Sequence, residues 1–354
     1  MQKFQPDYRN ILAVANNQRP ARLPLYEHLV NPGSIAKVVG HALPEYWKSG
    51  NAADMQEFFR QFCNFWKDLT YDTVSFESNV GEFLPDSGAI MGGRPGPIQN
   101  RADFEAYPWD EIPSLYWKKS GARFDALRAA LPPGMKAVGG VGNGVFEISE
   151  NLVGLEYLPF MEMDDPQLYA ELHDKIGWLM LTIWEEFLRR YGDIYVLCRF
   201  GDDLGFRSSL LTSPTTVRNH ILPQYKKVID AVHRAGNKFL LHSCGCIFEV
   251  MDDIIALGID AKHSNEDGIA PFQRWIDDYG QRIGLLGGFD MDFLCRKTPD
   301  EIYESALELG RQYRRSARGY ALGSGNSIPD YVPTENYLAM IRAAQKIREE
   351  EGSI

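Results

Sequence analysis

Short apolar runs alternate with longer amphipathic segments along most of the chain. The runs are nearly continuous in apolar residues and end in polar or glycine residues. This pattern is typical of parallel strands that are buried on both faces of a sheet. The eight runs are LPLYEH (23–28), YDTVSFE (71–77), MKAVGGVGNGVFE (135–147), DIYVLCRFGDD (193–203), NKFLLHSCG (237–245), IDAKHSNED (259–267), RIGLLGGFD (282–290) and GYALGSGNS (319–327).

The segments between the runs carry helical periodicity, which predicts helices over 167–192, 213–236 and 298–315. The second segment starts with Ser213 as an N-cap and ends at Gly236, so both boundary signals are present. Pro223 predicts a kink or a break inside this segment, because proline has no amide hydrogen for the helix.

Eight strand–helix units that close on themselves predict an α/β fold, a (β/α)8 TIM barrel with a single domain over residues 1–354. Residues 79–120 are rich in glycine and proline and predict an elaborated loop after the second strand. The alternative is an open doubly wound sheet, but no glycine-rich dinucleotide fingerprint follows the first strand.

Composition and charge narrow the classes of function. The chain has a net charge of −11, which repels phosphate backbones, so we expect no nucleic-acid partner. No apolar stretch is typical of a signal peptide or a membrane span, so we expect a cytoplasmic protein without a membrane partner. The five cysteines are irregularly spaced, which predicts free thiols rather than a disulfide framework.

In a barrel of this kind the functional residues lie at the C-terminal ends of the strands. Glu77 ends an aromatic and β-branched strand, where burial raises the pKa of a carboxyl group and favours a general acid; a paired structural glutamate is the alternative. Asp202 and Asp203 could hold a substrate or accept a proton; the alternative is that Asp203 caps the turn that follows. The substrate-binding candidates at the same ends are His28, Asn143, Phe206, Asn265, Asp290, Ser324 and Asn326.

The stretch LLHSCG combines an imidazole and a thiol at the end of one predicted strand. His242 and Cys244 are two residues apart, so on a strand both side chains point to the same side and can reach one ion. Zinc prefers nitrogen and thiolate ligands. The alternative is a hydrogen-bonded histidine beside a small buried thiol. Gly245 predicts a turn that carries Cys246 away from this site.

Three segments resemble the uroporphyrinogen decarboxylase superfamily, which also contains corrinoid-dependent methyltransferases. LLHSCG resembles the histidine–x–cysteine zinc motif of the methyltransferases. LGGFDMDFL (286–294) resembles the Gly-Asn-Leu-Asp-Pro segment of the decarboxylases. YALGSGNSIPDYVPTENYLAMI (320–341) resembles the shared C-terminal pattern of a glycine-rich strand end followed by the last helix.

The differences favour the methyltransferase branch. LPLYEHLVNPG has none of the arginines with which the decarboxylases hold the carboxylates of their substrate. The resemblance implies a zinc site with His242 and Cys244, but Ser324 stands where the methyltransferases have a further cysteine. The remaining ligands could then be Glu77, His263, Glu266 or an aspartate of the pair at 202–203, a more oxygen-rich set.

The resemblance implies a methyltransferase that moves a methyl group between a small methylated substrate and a corrinoid (cobalamin) on a partner protein, with zinc as a Lewis acid. An aromatic content of 12% is compatible with a methoxylated aromatic substrate and O-demethylation. It also implies a homodimer. Two alternatives stay open: a metal-free decarboxylase or lyase that uses Glu77 and Asp202, and a barrel that only binds a corrinoid or tetrapyrrole.

Overall fold

One curled sheet of seven parallel strands forms the centre of the molecule, and the strands neighbour one another in chain order. The computed structural model describes residues 4–352. Each connection returns the chain to the same end of the sheet, so all C-terminal strand ends lie along one edge, here called the rim, and all N-terminal ends lie along the base. The strands are β1 Thr73–Asn79, β2 Lys136–Gly142, β3 Tyr195–Gly201, β4 Lys238–His242, β5 Ala261–His263, β6 Gly284–Phe289 and β7 Tyr320–Ser324.

The first apolar run, 23–28, is not a strand of this sheet. The prediction of eight strands that close into a barrel is therefore corrected to seven strands in a curled half-barrel. The run makes one parallel bridge to β7, between Leu25 and Leu322. Pro24 has no N–H to extend the ladder. Toward β1, the Ser75 hydroxyl donates to the His28 carbonyl, so a side chain makes the contact there.

Helices join the strands and cover the outside of the sheet. The long ones pack on the strands that they connect, α4 on β1, α9 on β2, α11 on β4 and α15 on β7. The helices are α1 Arg9–Ala15, α2 Pro32–Val39, α3 Tyr46–Ser49, α4 Ala52–Asp68, α5 Arg101–Ala106, α6 Ile112–Ala130, α7 Val145–Leu152, α8 Leu158–Asp164, α9 Pro166–Tyr191, α10 Pro214–Thr216, α11 Leu222–Arg234, α12 Phe248–Ala256, α13 Phe272–Tyr279, α14 Met291–Arg296, α15 Pro299–Ser316 and α16 Thr334–Glu350.

The predicted helices over 167–192 and 298–315 are confirmed as α9 and α15. A capping box at Thr298 and Glu301 satisfies the first amides of α15. The predicted break at Pro223 is also confirmed. A π-helical turn, Val217–Ile221, separates α10 from α11, because the proline ring displaces the carbonyl one turn earlier.

The predicted loop at 79–120 leaves the rim directly after β1. It contains short 3-10 turns and α5, and from Ile112 onward it is the helix α6. The amides of Gly96 and Ile98 donate to the carbonyls of Val153 and Leu152, at the end of α7. The loop therefore lies against the segment that follows β2.

Helix α1 fills the base of the curled sheet. Ile11 and Val14 are fully buried and pack against inward-facing strand residues such as Val138, Leu197 and Leu286. All five cysteines are free thiols. Within residues 4–352, no helix combines the length and the apolar character that a membrane span requires.

Candidate active site at the rim

Two imidazoles stand side by side where β4 and β5 end. His242 and His263 are register partners on these neighbouring strands. Their side chains lie on the same face of the sheet, and the two Nδ1 atoms are 2.8 Å apart. At this distance one Nδ1 donates a hydrogen bond to the other.

The hydrogen-bond partner of His263 decides which nitrogen carries each proton. His263 Nε2 lies 3.0 Å from the carbonyl oxygen of Ser324. A carbonyl only accepts, so this Nε2 carries a hydrogen. Burial lowers the pKa of His263 to about 3 and that of His242 well below its usual value, so both rings are neutral. His263 Nδ1 therefore accepts from His242 Nδ1, and His242 Nε2 presents a free lone pair.

The free lone pair of His242 faces a thiol and a carboxylate. Cys244 Sγ is 3.4 Å and Asp203 Oδ1 is 3.9 Å from His242 Nε2. Ligand atoms of the three residues all lie within 4.8 Å of one another. The Cys244 amide donates to Asp203 Oδ1 at 2.8 Å, which ties the loop after β3 to the end of β4. Nitrogen, sulfur and carboxylate oxygen together match the ligands that zinc takes in proteins.

Two further side chains donate to the sulfur of Cys244. Ser264 Oγ is 3.4 Å and Asn326 Nδ2 is 3.3 Å from Sγ. Burial, and secondarily the charge of Asp203, raise the pKa of the thiol to about 12, so without a cation it is protonated. Gly245 has a φ of 81°, and a Cβ there would lie 2.0 Å from the Gly205 carbonyl oxygen. This glycine turns the chain, and neither ligand group of the rim includes Cys246.

His28 provides a third imidazole at the same place. Its ring is stacked on that of His242, with centroids 3.7 Å apart and planes 18° apart. Ligand atoms of His28, His242 and His263 also lie within 4.8 Å. However, imidazole lone pairs lie in the ring plane, so two nearly parallel rings cannot direct theirs at one ion. His28 Nδ1 is buried and has no partner within residues 4–352, which leaves it free for a polar atom of a ligand.

A buried ion pair forms the floor of the site. Arg199 is 0% exposed, and its Nε and Nη2 donate to Glu77 Oε2 at 3.0 and 2.6 Å. Its Nη1 donates to Tyr26 Oη at 2.7 Å, Ser75 Oγ at 2.9 Å and the His28 carbonyl at 3.1 Å. Every nitrogen of this guanidinium is satisfied. Glu77 is therefore paired with an arginine, which was the alternative to its prediction as a general acid.

The neighbouring aspartates have different surroundings. Asp202 is fully buried and accepts from the amides of Phe146 and Glu147 at 2.9 and 2.8 Å, at the start of α7. It also accepts from Tyr225 Oη at 2.5 Å. Burial raises the pKa of Asp202 to about 7, although these hydrogen bonds act to lower it. Asp202 therefore caps a helix, while the half-exposed Asp203 faces the imidazole and the thiol.

Several of the predicted substrate-binding residues hold the rim loops together. Ser324 Oγ and its amide donate to the carboxyl group of the buried Glu27, so Ser324 does not reach Cys244. Asn265 Oδ1 accepts from the Gly288 amide at 3.0 Å. Asn143 accepts a hydrogen bond from the Gly81 amide and donates one to Glu147. Asp290 accepts hydrogen bonds from the amides of Asp267 and Phe293.

A cavity of about 450 Å³ opens beside the thiol, between the loops that follow β3, β5, β6 and β7. Asn326 both lines this cavity and contacts Cys244. Glu266 lies in the cavity wall rather than in either ligand group. Phe206 is 61% exposed in the loop after β3. The full lining is Arg207, Glu266, Gly268, Asp290, Met291, Asp292, Asn326, Ser327, Pro329 and Tyr331.

Sequence reasoning missed two buried cations near the rim. Arg199 is one, and the signal for it was a single arginine inside an otherwise apolar strand. Lys262 is the other: its Nζ lies 3.8 Å from the centre of the Trp275 ring and donates to the Ser264 carbonyl. Burial lowers the pKa of Lys262 to about 7. This lysine anchors the segment that also carries the Ser264 hydroxyl.

Comparison with known proteins adds a family and a fold. The family model described as uroporphyrinogen decarboxylase (URO-D) matches residues 97–347. A methyltransferase from Methanosarcina mazei has a similar structure, with a TM-score of 0.71, 17% identity, and coverage of 95% of this chain and 97% of that one. A family 5 glycoside hydrolase from Prevotella bryantii B14 aligns with a TM-score of 0.47 and 9% identity over 98% of this chain and 99% of that one. No curated protein matches the sequence.

Proposed function

Because this chain belongs to the uroporphyrinogen decarboxylase (URO-D) family, we propose that it is a member of that family which transfers methyl groups with the help of zinc. In this proposal Asp203, His242 and Cys244 hold the zinc ion. The methyl group moves between a small methylated substrate and a corrinoid carried by a partner protein. The observation that carries the proposal is the convergence of these three side chains, with ligand atoms within 4.8 Å.

The residues around the three ligands fit a metal site. His263 accepts from His242 Nδ1 and so directs the lone pair of Nε2 toward the thiol. The donors Ser264 and Asn326 face the sulfur, where they stabilise a thiolate. Bound there, zinc supplies the Lewis acidity that stabilises negative charge on the heteroatom that loses its methyl group. The corrinoid supplies the second site for the methyl group.

The cavity beside Cys244 is the place for the small substrate. It adjoins the thiol through Asn326, and its volume of about 450 Å³ suits a small organic molecule. Tyr331 lines the cavity and is 75% exposed, which supports a methoxylated aromatic.

The surroundings of the buried arginine support methyl transfer over decarboxylation of uroporphyrinogen. A substrate with many carboxylates needs free cationic partners. Arg199 is engaged by Glu77 through two nitrogens and by three other acceptors through the third. Similarity in fold to the methyltransferase from Methanosarcina mazei is in line with this choice.

A metal-free decarboxylase or lyase that uses Glu77 and Asp202 is less well supported. Glu77 is held in the ion pair, and Asp202 accepts three hydrogen bonds from α7 and Tyr225. Both carboxyl groups are already fixed by protein donors. That alternative predicts activity that survives chelators and Cys244→Ala.

Metal content and methyl transfer test the proposal together. Protein purified without a polyhistidine tag is analysed for zinc, and reduced cobalamin is offered as acceptor with methoxylated aromatics, methylamines and methyl thioethers. We expect about one zinc per chain and transfer from one class of donor. In His242→Ala we expect loss of the zinc and a roughly 1000-fold loss of transfer, which equals about 4 kcal/mol.

Cys246→Ala is the matched control, because this cysteine follows the turn at Gly245 and belongs to neither ligand group. It should keep both the zinc and the transfer activity. Zinc below a tenth of an equivalent after reconstitution, unchanged in His242→Ala, contradicts the metal site. Tight cobalamin binding without methyl transfer from any donor favours the alternative of a barrel that only binds a corrinoid or tetrapyrrole.

A further inference from the structure

A second cavity lies at the opposite end of the molecule, at the base. It has a volume of about 330 Å³ and lies between the segment before the first apolar run, the end of α15 and the end of α16. Four arginines and two glutamates line it, a local excess of two positive charges in a chain whose net charge is −11. The lining is Arg19, Arg311, Arg314, Arg315, Ile347, Glu350 and Glu351.

One nitrogen of the buried member of this group lacks a hydrogen-bond acceptor among the described residues. Arg314 is 4% exposed; its Nε donates to Glu351 at 2.5 Å and its Nη2 to the Pro20 carbonyl at 3.2 Å. Within residues 4–352 its Nη1 has no partner. A buried charged donor that is left without an acceptor costs free energy.

The exposed arginines leave the cavity positively charged. Arg311 binds Glu350 through Nε and Nη2 at 2.8–3.1 Å, so this pair is neutral. Arg19 shares Glu351 with Arg314, at 3.3 Å. Among the described residues, Arg315 has no ion pair and its guanidinium is exposed. Two guanidinium charges are therefore not compensated.

From this geometry we propose that the base holds a small oxyanion of the phosphate type, bound by Arg314, Arg315 and Arg19. Guanidinium groups present planar forks of N–H donors that match the oxygens of phosphate. A volume of about 330 Å³ accommodates one or two phosphoryl groups. The site joins the ends of α15 and α16 to the segment at Arg19, so the ligand stabilises the base. It is independent of the function proposed for the rim.

Calorimetric titration in a phosphate-free buffer at constant ionic strength tests the proposal. The probes are orthophosphate and pyrophosphate, and citrate is the comparison anion that carries carboxylates only. We expect saturable binding of one pyrophosphate or phosphate per chain and weaker binding of citrate. Arg315→Gln should weaken phosphate binding at least tenfold, because it removes an exposed donor without disturbing the packed interior. Arg314→Lys, which keeps the charge but removes the fork, should weaken it as well.

Arg189→Gln is the matched control. Arg189 pairs with Glu186 on α9, has a side chain that is 70% exposed, and lies outside the cavity. This variant should bind as the unmodified protein does. The proposal is overturned if neither phosphate probe binds saturably, if citrate binds as tightly or more tightly, or if Arg189→Gln weakens binding as much as Arg315→Gln. A variant of Arg314 that fails to fold leaves the test with Arg315→Gln intact.

Discussion

The rim and the base of this molecule each contain a buried arginine, and the two are satisfied to different degrees. Arg199 at the rim has an acceptor for every nitrogen, with Glu77 as its partner, and both are sealed from solvent. Arg314 at the base shares the partly exposed Glu351, and among residues 4–352 its Nη1 has no acceptor. A completed network holds its residues in one arrangement, while an unpaired buried donor costs free energy.

The largest expected difference between the rim and the base is in the free energy of unfolding. Arg199→Met strands the carboxylate of Glu77 in a dry interior, and we expect a loss of about 3 kcal/mol or more in the free energy of unfolding. Arg314→Met releases Glu351, whose side chain is 26% exposed and can hydrate, so we expect a loss of only about 1 kcal/mol. Urea denaturation curves measure both. The double variant Glu77→Gln, Arg199→Met should recover part of the loss. Equal losses in the two single variants contradict the comparison.

The buried Glu27 at the rim and the exposed Glu350 at the base also differ in the sign of their pKa shifts. Burial raises the pKa of Glu27 at the rim to about 8, whereas the hydrogen bond from Arg311 lowers the pKa of Glu350 at the base. Between pH 5 and 8 the folded protein keeps a proton on Glu27 that the unfolded chain releases. Stability therefore falls as the pH rises through this window.

Glu27→Gln should reduce that dependence by on the order of 2 kcal/mol between pH 5 and 8, while the part due to Asp202, whose pKa burial raises to about 7, should remain. The difference in unfolding free energy between variant and unmodified protein is measured across the window. Glu350→Gln is the control, because the stability that Glu350 contributes is present above its unfolded pKa and is lost only at lower pH. A pH dependence that is as steep in Glu27→Gln as in the unmodified protein means that Glu27 does not hold the proton.

The smallest expected effect concerns the thiol at the rim. Asn326→Ala removes the amide that lies 3.3 Å from Cys244 Sγ, and we expect about tenfold weaker zinc binding, since groups that support metal ligands contribute 10- to 100-fold to affinity. Competition with a chromogenic chelator measures the affinity. Ser327→Ala, in the same cavity wall, serves as the control. If the zinc affinity is unchanged in Asn326→Ala, Asn326 does not support the metal site. The assignment of Asp203, His242 and Cys244 as ligands does not depend on this result.

Much of the architecture could be predicted from the pattern of apolar runs. Seven of the eight runs are strands at or near the predicted residues, because a strand buried on both faces needs a continuous apolar stretch. The run at 23–28 has the same composition but makes a single bridge to β7. Whether this run joins the sheet depends on its pairing with the remote strands β1 and β7, where Pro24 has no N–H to donate.

The candidate site shows the same limit at the level of single side chains. His242 is the last residue of β4 and Cys244 follows two residues later, so both lie at the rim. Which of Asp202 and Asp203 faces them depends on α7, whose first amides take Asp202. Asn326 rather than Ser324 reaches the sulfur, because Ser324 is held by Glu27, which is remote in sequence.

Local pattern therefore specifies the strands, their parallel order and the rim where polar side chains gather, since these follow from periodicity and from the direction of the chain. Contacts between remote segments specify the rest: the carbonyl of Ser324 that sets the tautomer of His242 through His263, and the pairing of Arg199 with Glu77. Each of these depends on distances of about 3 Å between residues that are far apart in the sequence, and only packing brings them together.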